Sequence, residues 1–114
     1  MTIFAQAPGS REAHKLQGIG TAYETLVDTP NKLWTLESVH FANSHGSAVG
    51  VTLEIYDGTT ATVLLPAKSI AANDVYTFKD HNITLAPNEL LRVKASTADV
   101  VDVTAVGYYG NQTG

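Results

Sequence analysis

Hydrophobic positions along this chain recur with a period of two, the spacing of a strand with one buried face. The clearest run is Ala48–Tyr56, where Val49, Val51, Leu53 and Ile55 share one face and Gly50, Thr52, Glu54 and Tyr56 the other. Leu91, Val93 and Ala95 alternate in the same way with Leu90, Arg92 and Lys94, and Val101, Val103 and Ala105 with Asp102 and Thr104. Such alternation specifies register, because a slip of one residue would turn each apolar set towards water. Further β-rich runs at Thr21–Asp28, Leu33–Asn43, Thr60–Leu65, Asp74–Lys79 and Asn82–Leu85 bring the expected total to about eight strands.

Turn residues punctuate these runs. Asp57-Gly58 is a strong hairpin signal between two strands, Thr29-Pro30-Asn31-Lys32 and Asn43–Ser47 read as turns, and Pro66 reads as the end of a strand. With strands about every ten residues and no convincing long helix, the expected fold is an all-β antiparallel sandwich, jelly-roll-like. A closed small barrel stands second. An immunoglobulin-type sandwich stands behind the jelly roll because the chain has no cysteine for its disulfide.

Residues 1–20 break the pattern. They hold Pro8, Gly9, Ser10, Gly18 and Gly20 and few large apolar side chains, so an extended N-terminal arm is expected outside a β-sandwich domain spanning 21–114. A helix over Arg11–Gln17 is the local alternative, with Leu16 its single large apolar side chain. An arm of this kind needs a surface to lie on.

Length and charge narrow the function classes. At 114 residues the chain accommodates one compact domain. Seven Lys and Arg against eleven Asp and Glu give a net charge of −4, with the cations scattered, which argues against a nucleic-acid groove or an anionic-membrane anchor. No apolar run approaches the roughly 18 residues of a membrane span, and no secretory leader pattern opens the chain, so a soluble protein is expected.

Candidate chemistry is sparse. His14, His40, His45 and His81 lack the close spacing with a carboxylate that a metal site shows, and without cysteine there is no thiolate ligand or nucleophile. His40 is read on the strand face of Trp34, Leu36 and Ser38, as a packed or interface residue; His45 and His81 are read as solvated turn residues. Gly18-Ile-Gly20 lacks the rest of a dinucleotide fingerprint, and no serine sits in a nucleophile elbow. Glu37, Glu54, Asp57, Asp99 and Asp102 read as solvated acids, not a glycosidase pair. Asp57, Asp74 and Asp80 lack calcium-loop spacing, and the sequons at Asn82 and Asn111 carry little weight without a secretory signal. Neither a cofactor nor a metal nor an enzymatic activity is expected. Trp34, Tyr56 and Tyr76 are candidate glycan-stacking or interface aromatics, core filler being the commoner role of such residues.

The order of segments from Leu36 to Tyr108, about two thirds of the chain, resembles a small β-sandwich of tailed-bacteriophage virion proteins. A strand ending in asparagine, Val39-His-Phe-Ala-Asn43, precedes a small-residue turn and the alternating strand Ser47–Ile55. There follow the Asp57-Gly58 hairpin, a strand ending near Pro66, and the loop Ala71-Ala-Asn-Asp74. The closing Leu85-Ala-Pro-Asn-Glu-Leu-Leu-Arg-Val-Lys-Ala-Ser96 is similar to the family's L-x-P-G-D-x-L-x-V-x-A-S, with Asn88-Glu89 in place of Gly-Asp; asparagine tolerates left-handed backbone nearly as glycine does.

The resemblance implies a virion structural protein: a capsid decoration (cement) protein on the head surface, or a neck, tail or fibre component. Its partners would be the major capsid protein and further copies of itself, commonly a trimer at local threefold positions. Phe4, Leu16 and Ile19 are the expected apolar anchors of the arm on a capsid or a neighbouring subunit. A carbohydrate-binding module using Trp34, Tyr56 or Tyr76 is the rival reading.

Overall fold

The computed structural model describes residues 11–29, 33–79 and 83–109. Among these, nine strands and no helix are found: β1 Arg11–Leu16, β2 Glu24–Thr29, β3 Trp34–Asn43, β4 Val49–Tyr56, β5 Ala61–Ile70, β6 Val75–Lys79, β7 Thr84–Leu85, β8 Glu89–Ala95 and β9 Val101–Tyr109. All pairings are antiparallel. One sheet runs β1-β9-β3-β6, with the two-residue β7 also pairing β3; the other runs β2-β8-β4-β5. The chain crosses repeatedly between sheets, and with β7 set aside the interleaving is that of a jelly roll, as expected.

The alternating sets of β4, β8 and β9 face inward as their pattern requires: Val49, Val51, Leu53, Leu91, Val93, Ala95, Val101, Val103 and Ala105 are all buried. Trp34, fully buried at the start of β3, is the largest of the core side chains. Its indole lies against Gly107 of β9, where an added Cβ would come within 2.5 Å of Trp34 Cζ2 and 2.3 Å of the Thr35 carbonyl oxygen. A glycine ordinarily weakens a strand interior; here the close approach of ring and backbone demands it.

Two asparagines explain the motif residues that close the loops. Asn43, 3% exposed, directs Nδ2 at the carbonyls of Ser47, Ile70 and Ala71, each at 3.1 Å, while its Oδ1 accepts the His45 N–H at 2.9 Å. One side chain therefore ties the end of β3 to the following turn and to the end of β5, satisfying buried backbone groups that an apolar residue would leave bare. Asn88 adopts the left-handed backbone with φ 71°, the geometry for which the related motif uses glycine. Its N–H donates to the Thr29 carbonyl at 2.5 Å, and Thr29 Oγ1, buried, stands 2.9 Å from both the Ala86 and Glu89 carbonyls.

The structure departs from the sequence-based expectation in three places. Arg11–Leu16 is neither helix nor free arm: it pairs along β9 from Arg11 opposite Tyr108 to Leu16 opposite Val103. Its single apolar anchor is too little for a helix but enough for an edge strand, whose stability comes from the ladder. The sandwich thus takes in residues before 21, and only residues 1–10 of the expected arm lie outside the described residues. Second, β5 continues through Pro66 to Ile70. An edge strand tolerates proline, and the register shift here is eased by the left-handed Ala67 (φ 43°), whose N–H donates to Thr52 Oγ1 at 3.3 Å. Third, a bulge between Leu36 and Ser38 exchanges the faces of β3. Trp34 and Leu36 point inward, but beyond the bulge Val39 and Phe41 do so and His40 faces outward.

Gly107→Ala is expected to lower the unfolding free energy by about 3 kcal/mol, the upper range for overpacking. Urea denaturation followed by the fluorescence of Trp34, the chain's only tryptophan, measures this directly. An unchanged midpoint would mean that the indole does not rest on this strand.

Candidate interaction surfaces

The expected contact residues separate into different environments. Phe4 lies outside the described residues. Leu16 is half-buried at the end of β1, packed against the core. Ile19 is fully buried, with its N–H donating to Val101 O at 2.9 Å and its carbonyl accepting from Asp99, so it is a core residue of this chain and not an anchor on another. Trp34 is equally enclosed and offers no face to a sugar. Tyr76 faces inward at the margin of the sandwich, with Lys68 Nζ from the other sheet 5.1 Å from its ring centre. Tyr56 lies on the outward register of β4. The three aromatics therefore form no common platform.

What the structure does assemble is a polar cluster on the outer face of the β2-β8-β4-β5 sheet. Glu54 and Arg92 are cross-strand partners, and Arg92 Nε donates to Glu54 Oε2 at 2.8 Å while Nη2 bonds the same oxygen. The guanidinium carbon lies 3.8 Å from the Tyr56 ring centre and 4.9 Å from that of Tyr23. Lys94 Nζ lies 4.6 Å from the Tyr23 ring centre. Beneath this cover Glu54 is only 2% exposed, although its position on the strand is an outward one; the reading of this acid as solvated is corrected accordingly.

Burial raises the Tyr23 hydroxyl above its ordinary value, with the hydrogen bond to Glu54 and that carboxylate's charge adding to the effect and Arg92 opposing it. The stability linked to this shift is present below the free phenol's value of 10.0 and is lost as pH rises through the folded value. Alongside Lys94 runs a shallow depression of about 310 Å³ lined by Thr21, Gly50, Thr52, Ala67 and Ser96.

The other sheet carries a milder outer face. His40 Nδ1 is 3.1 Å from Thr77 Oγ1 of the neighbouring β6 and Nε2 3.3 Å from Ser38 Oγ of its own strand, so its ring is held on the sheet face. Arg11 Nη2 bonds Glu37 at 3.0 Å. Among the described residues no three His, Asp or Glu side chains are grouped as metal ligands. Each sheet ends in edge strands, β1 and β6 in one, β2 and β5 in the other. Val63 on β5 and Val75 on β6 are 50% and 58% exposed.

No family model and no curated protein matches the chain. Solved structures match its fold. A chain of the acidic stable capsid structure of Helicobacter pylori bacteriophage KHP30 aligns with a TM-score of 0.58 and 18% identity over 89% of each chain. A chain of the cyanophage Pam1 capsid asymmetric unit aligns at 0.53 and 16% identity, over 96% of this chain and 91% of that one. The T13 IBDV viral particle, with a TM-score of 0.51 and 12% identity, is matched over 95% of this chain but 33% of its own. At such identities the likeness is one of fold.

Arg92→Ala removes the partner of a buried carboxylate and is expected to destabilise the protein by about 3 kcal/mol, the low end for a broken buried pair because Arg92 keeps some exposure. Thermal or urea unfolding measures the loss. A change under about 1 kcal/mol would be the value of a solvated surface pair and would show Glu54 to be hydrated.

Proposed function

We propose that the chain is a non-enzymatic structural protein of a bacteriophage virion, a decoration (cement) protein that binds the head surface and stabilises it. The observation that carries this reading is reciprocal coverage. The matched chains in the KHP30 and Pam1 capsid structures are nearly the same length as this one, so in both a single sandwich makes up almost the whole chain. In the IBDV particle the same fold is a third of a longer chain. The matched KHP30 and Pam1 chains, each little more than one sandwich, have mainly faces and edges to offer a neighbour, which suits an added subunit better than a shell-forming one.

The contacts assigned to this role are residues 1–10 with Phe4, the adjoining edge strand β1 with Leu16, and the other sheet edges. Edge strands hold unpaired backbone groups that a neighbouring subunit can satisfy. A terminal segment laid on a neighbouring subunit adds buried area to the contact. The partners are the major capsid protein and further copies of this chain, in a trimer or another closed ring.

Copy number tests the role. Quantitative mass spectrometry of purified virions against the major capsid protein should find hundreds of copies, near parity. On the order of three to twelve copies would place the protein at the neck, tail or fibre instead, where closed rings set the stoichiometry.

Truncation tests the arm. Deleting residues 2–10, and stopping there because Arg11 already pairs with Tyr108, should weaken binding to undecorated capsids at least tenfold, with the unfolding midpoint measured alongside to confirm that the truncated protein is folded. Undiminished binding by the folded truncated protein would sink the arm's part in the contact.

A further inference from the structure

We infer that the outer face of the β2-β8-β4-β5 sheet, around Arg92, Lys94, Tyr23 and Tyr56, receives an acidic segment of a partner protein. The surface stands independently of where in a virion, or elsewhere, the chain acts.

The first ground is charge. The chain carries a net −4, yet Arg92 and Lys94 stand together on the outward register of β8. Their outward cross-strand neighbours Thr25, Thr52 and, beyond Glu54, Val63 carry no charge. Glu54, the carboxylate between them, is 2% exposed and engaged by Arg92, so it presents almost nothing to solvent. Arg92 and Lys94 form a cationic island on this face of an acidic protein, bounded at the Leu90 end by the exposed carboxylate of Asp28.

The second ground is preorganisation. Arg92 turns Nε and Nη2 towards Glu54, which leaves the Nη1 hydrogens of its fork for an outside acceptor, and its side chain keeps 23% of its surface exposed. Two tyrosine rings, of Tyr56 and Tyr23, lie against the guanidinium, with their centres 3.8 and 4.9 Å from its carbon. A cation fixed in this way loses little freedom on binding, and tyrosine and arginine are the side chains that dominate protein contacts.

The third ground is spacing. Residues two apart on a strand are separated by about 7 Å, so Arg92 and Lys94 match carboxylates at alternate positions of an extended segment laid along β8. The depression beside Lys94, with Thr52 and Ser96 on its rim, continues that line beyond the cations. A long polyanion such as a nucleic acid would extend past the island onto a protein of its own charge sign.

The test is an NMR titration of the ¹⁵N-labelled full chain with a capped Gly-Glu-Gly-Glu-Gly-Glu-Gly peptide at low ionic strength. Saturable shifts are expected at Arg92 Nε–H and at Lys94. Binding should weaken about fivefold or more in Lys94→Glu, whose side chain is partly exposed and outside the ion pair, and stay unchanged in Lys79→Glu on the other sheet. The proposal is overturned if no saturable shift occurs or if Lys94→Glu binds as the parent does. It is equally overturned if a single-stranded oligothymidine of equal length binds these residues more tightly than the peptide.

Discussion

Among the described residues only one ladder, β4 with β5, joins strands that follow one another in the chain; the other pairings are remote. β1 waits for β9, β2 for β8, and β3 for both β6 and β9. Neither sheet can close until segments from both halves of the chain have met, so loop-closure entropy must be met before most contacts form, which places the protein among slow-folding topologies. The local devices described above follow from that constraint. Asn43 and Thr29 each clamp segments far apart in sequence with bonds that cost little once the strands are in place. The Trp34 ring can pack at full depth only because Gly107 arrives beside it from the other end of the chain.

The same topology brings the charged face together. Glu54 and Arg92 are separated by 38 positions, and their pairing exists only in the closed sheet. An ion pair covered by two aromatic rings on an outer sheet face is a costly arrangement compared with an apolar pair of similar volume. Its retention fits a surface on which Arg92 must be held in one orientation, and it links the stability of this sheet to the integrity of its outer face.

Much of the architecture was legible in the sequence, because alternation is a direct readout of one-sided burial. β4, β8 and β9 were assigned to the correct faces from their apolar periods, and Asn88 was expected to stand in for a left-handed glycine. What escaped was whatever depended on partners distant in sequence. β1 carries one large apolar residue, so no local pattern marks it; its ladder with β9 makes it a strand. The bulge near Glu37 inverted the assignment of His40, since a single inserted residue is invisible to a period-two count. Ile19 was a candidate contact by residue type and is core, a matter of depth that type alone does not settle, whereas for Trp34 core filling was already the commoner reading. The Tyr23, Glu54, Arg92 cluster left only a trace, an acid and a base on the outward registers of two strands whose pairing was still unknown.

Because Arg11 faces Tyr108 across the β1–β9 ladder, the chain enters and leaves the sandwich at one place. The fold is therefore nearly a closed loop of polypeptide, and where that loop is cut is a matter of genetics more than of mechanics. A short linker joining Tyr109 to Arg11 across the short gap, with new ends opened at Asp57-Gly58, would preserve every described strand. In such a circular permutant β1 and β9 would become sequence neighbours and β4 and β5 the distant pair. The same sandwich would then be reached with a different loop order, so its folding rate would report which closure limits assembly.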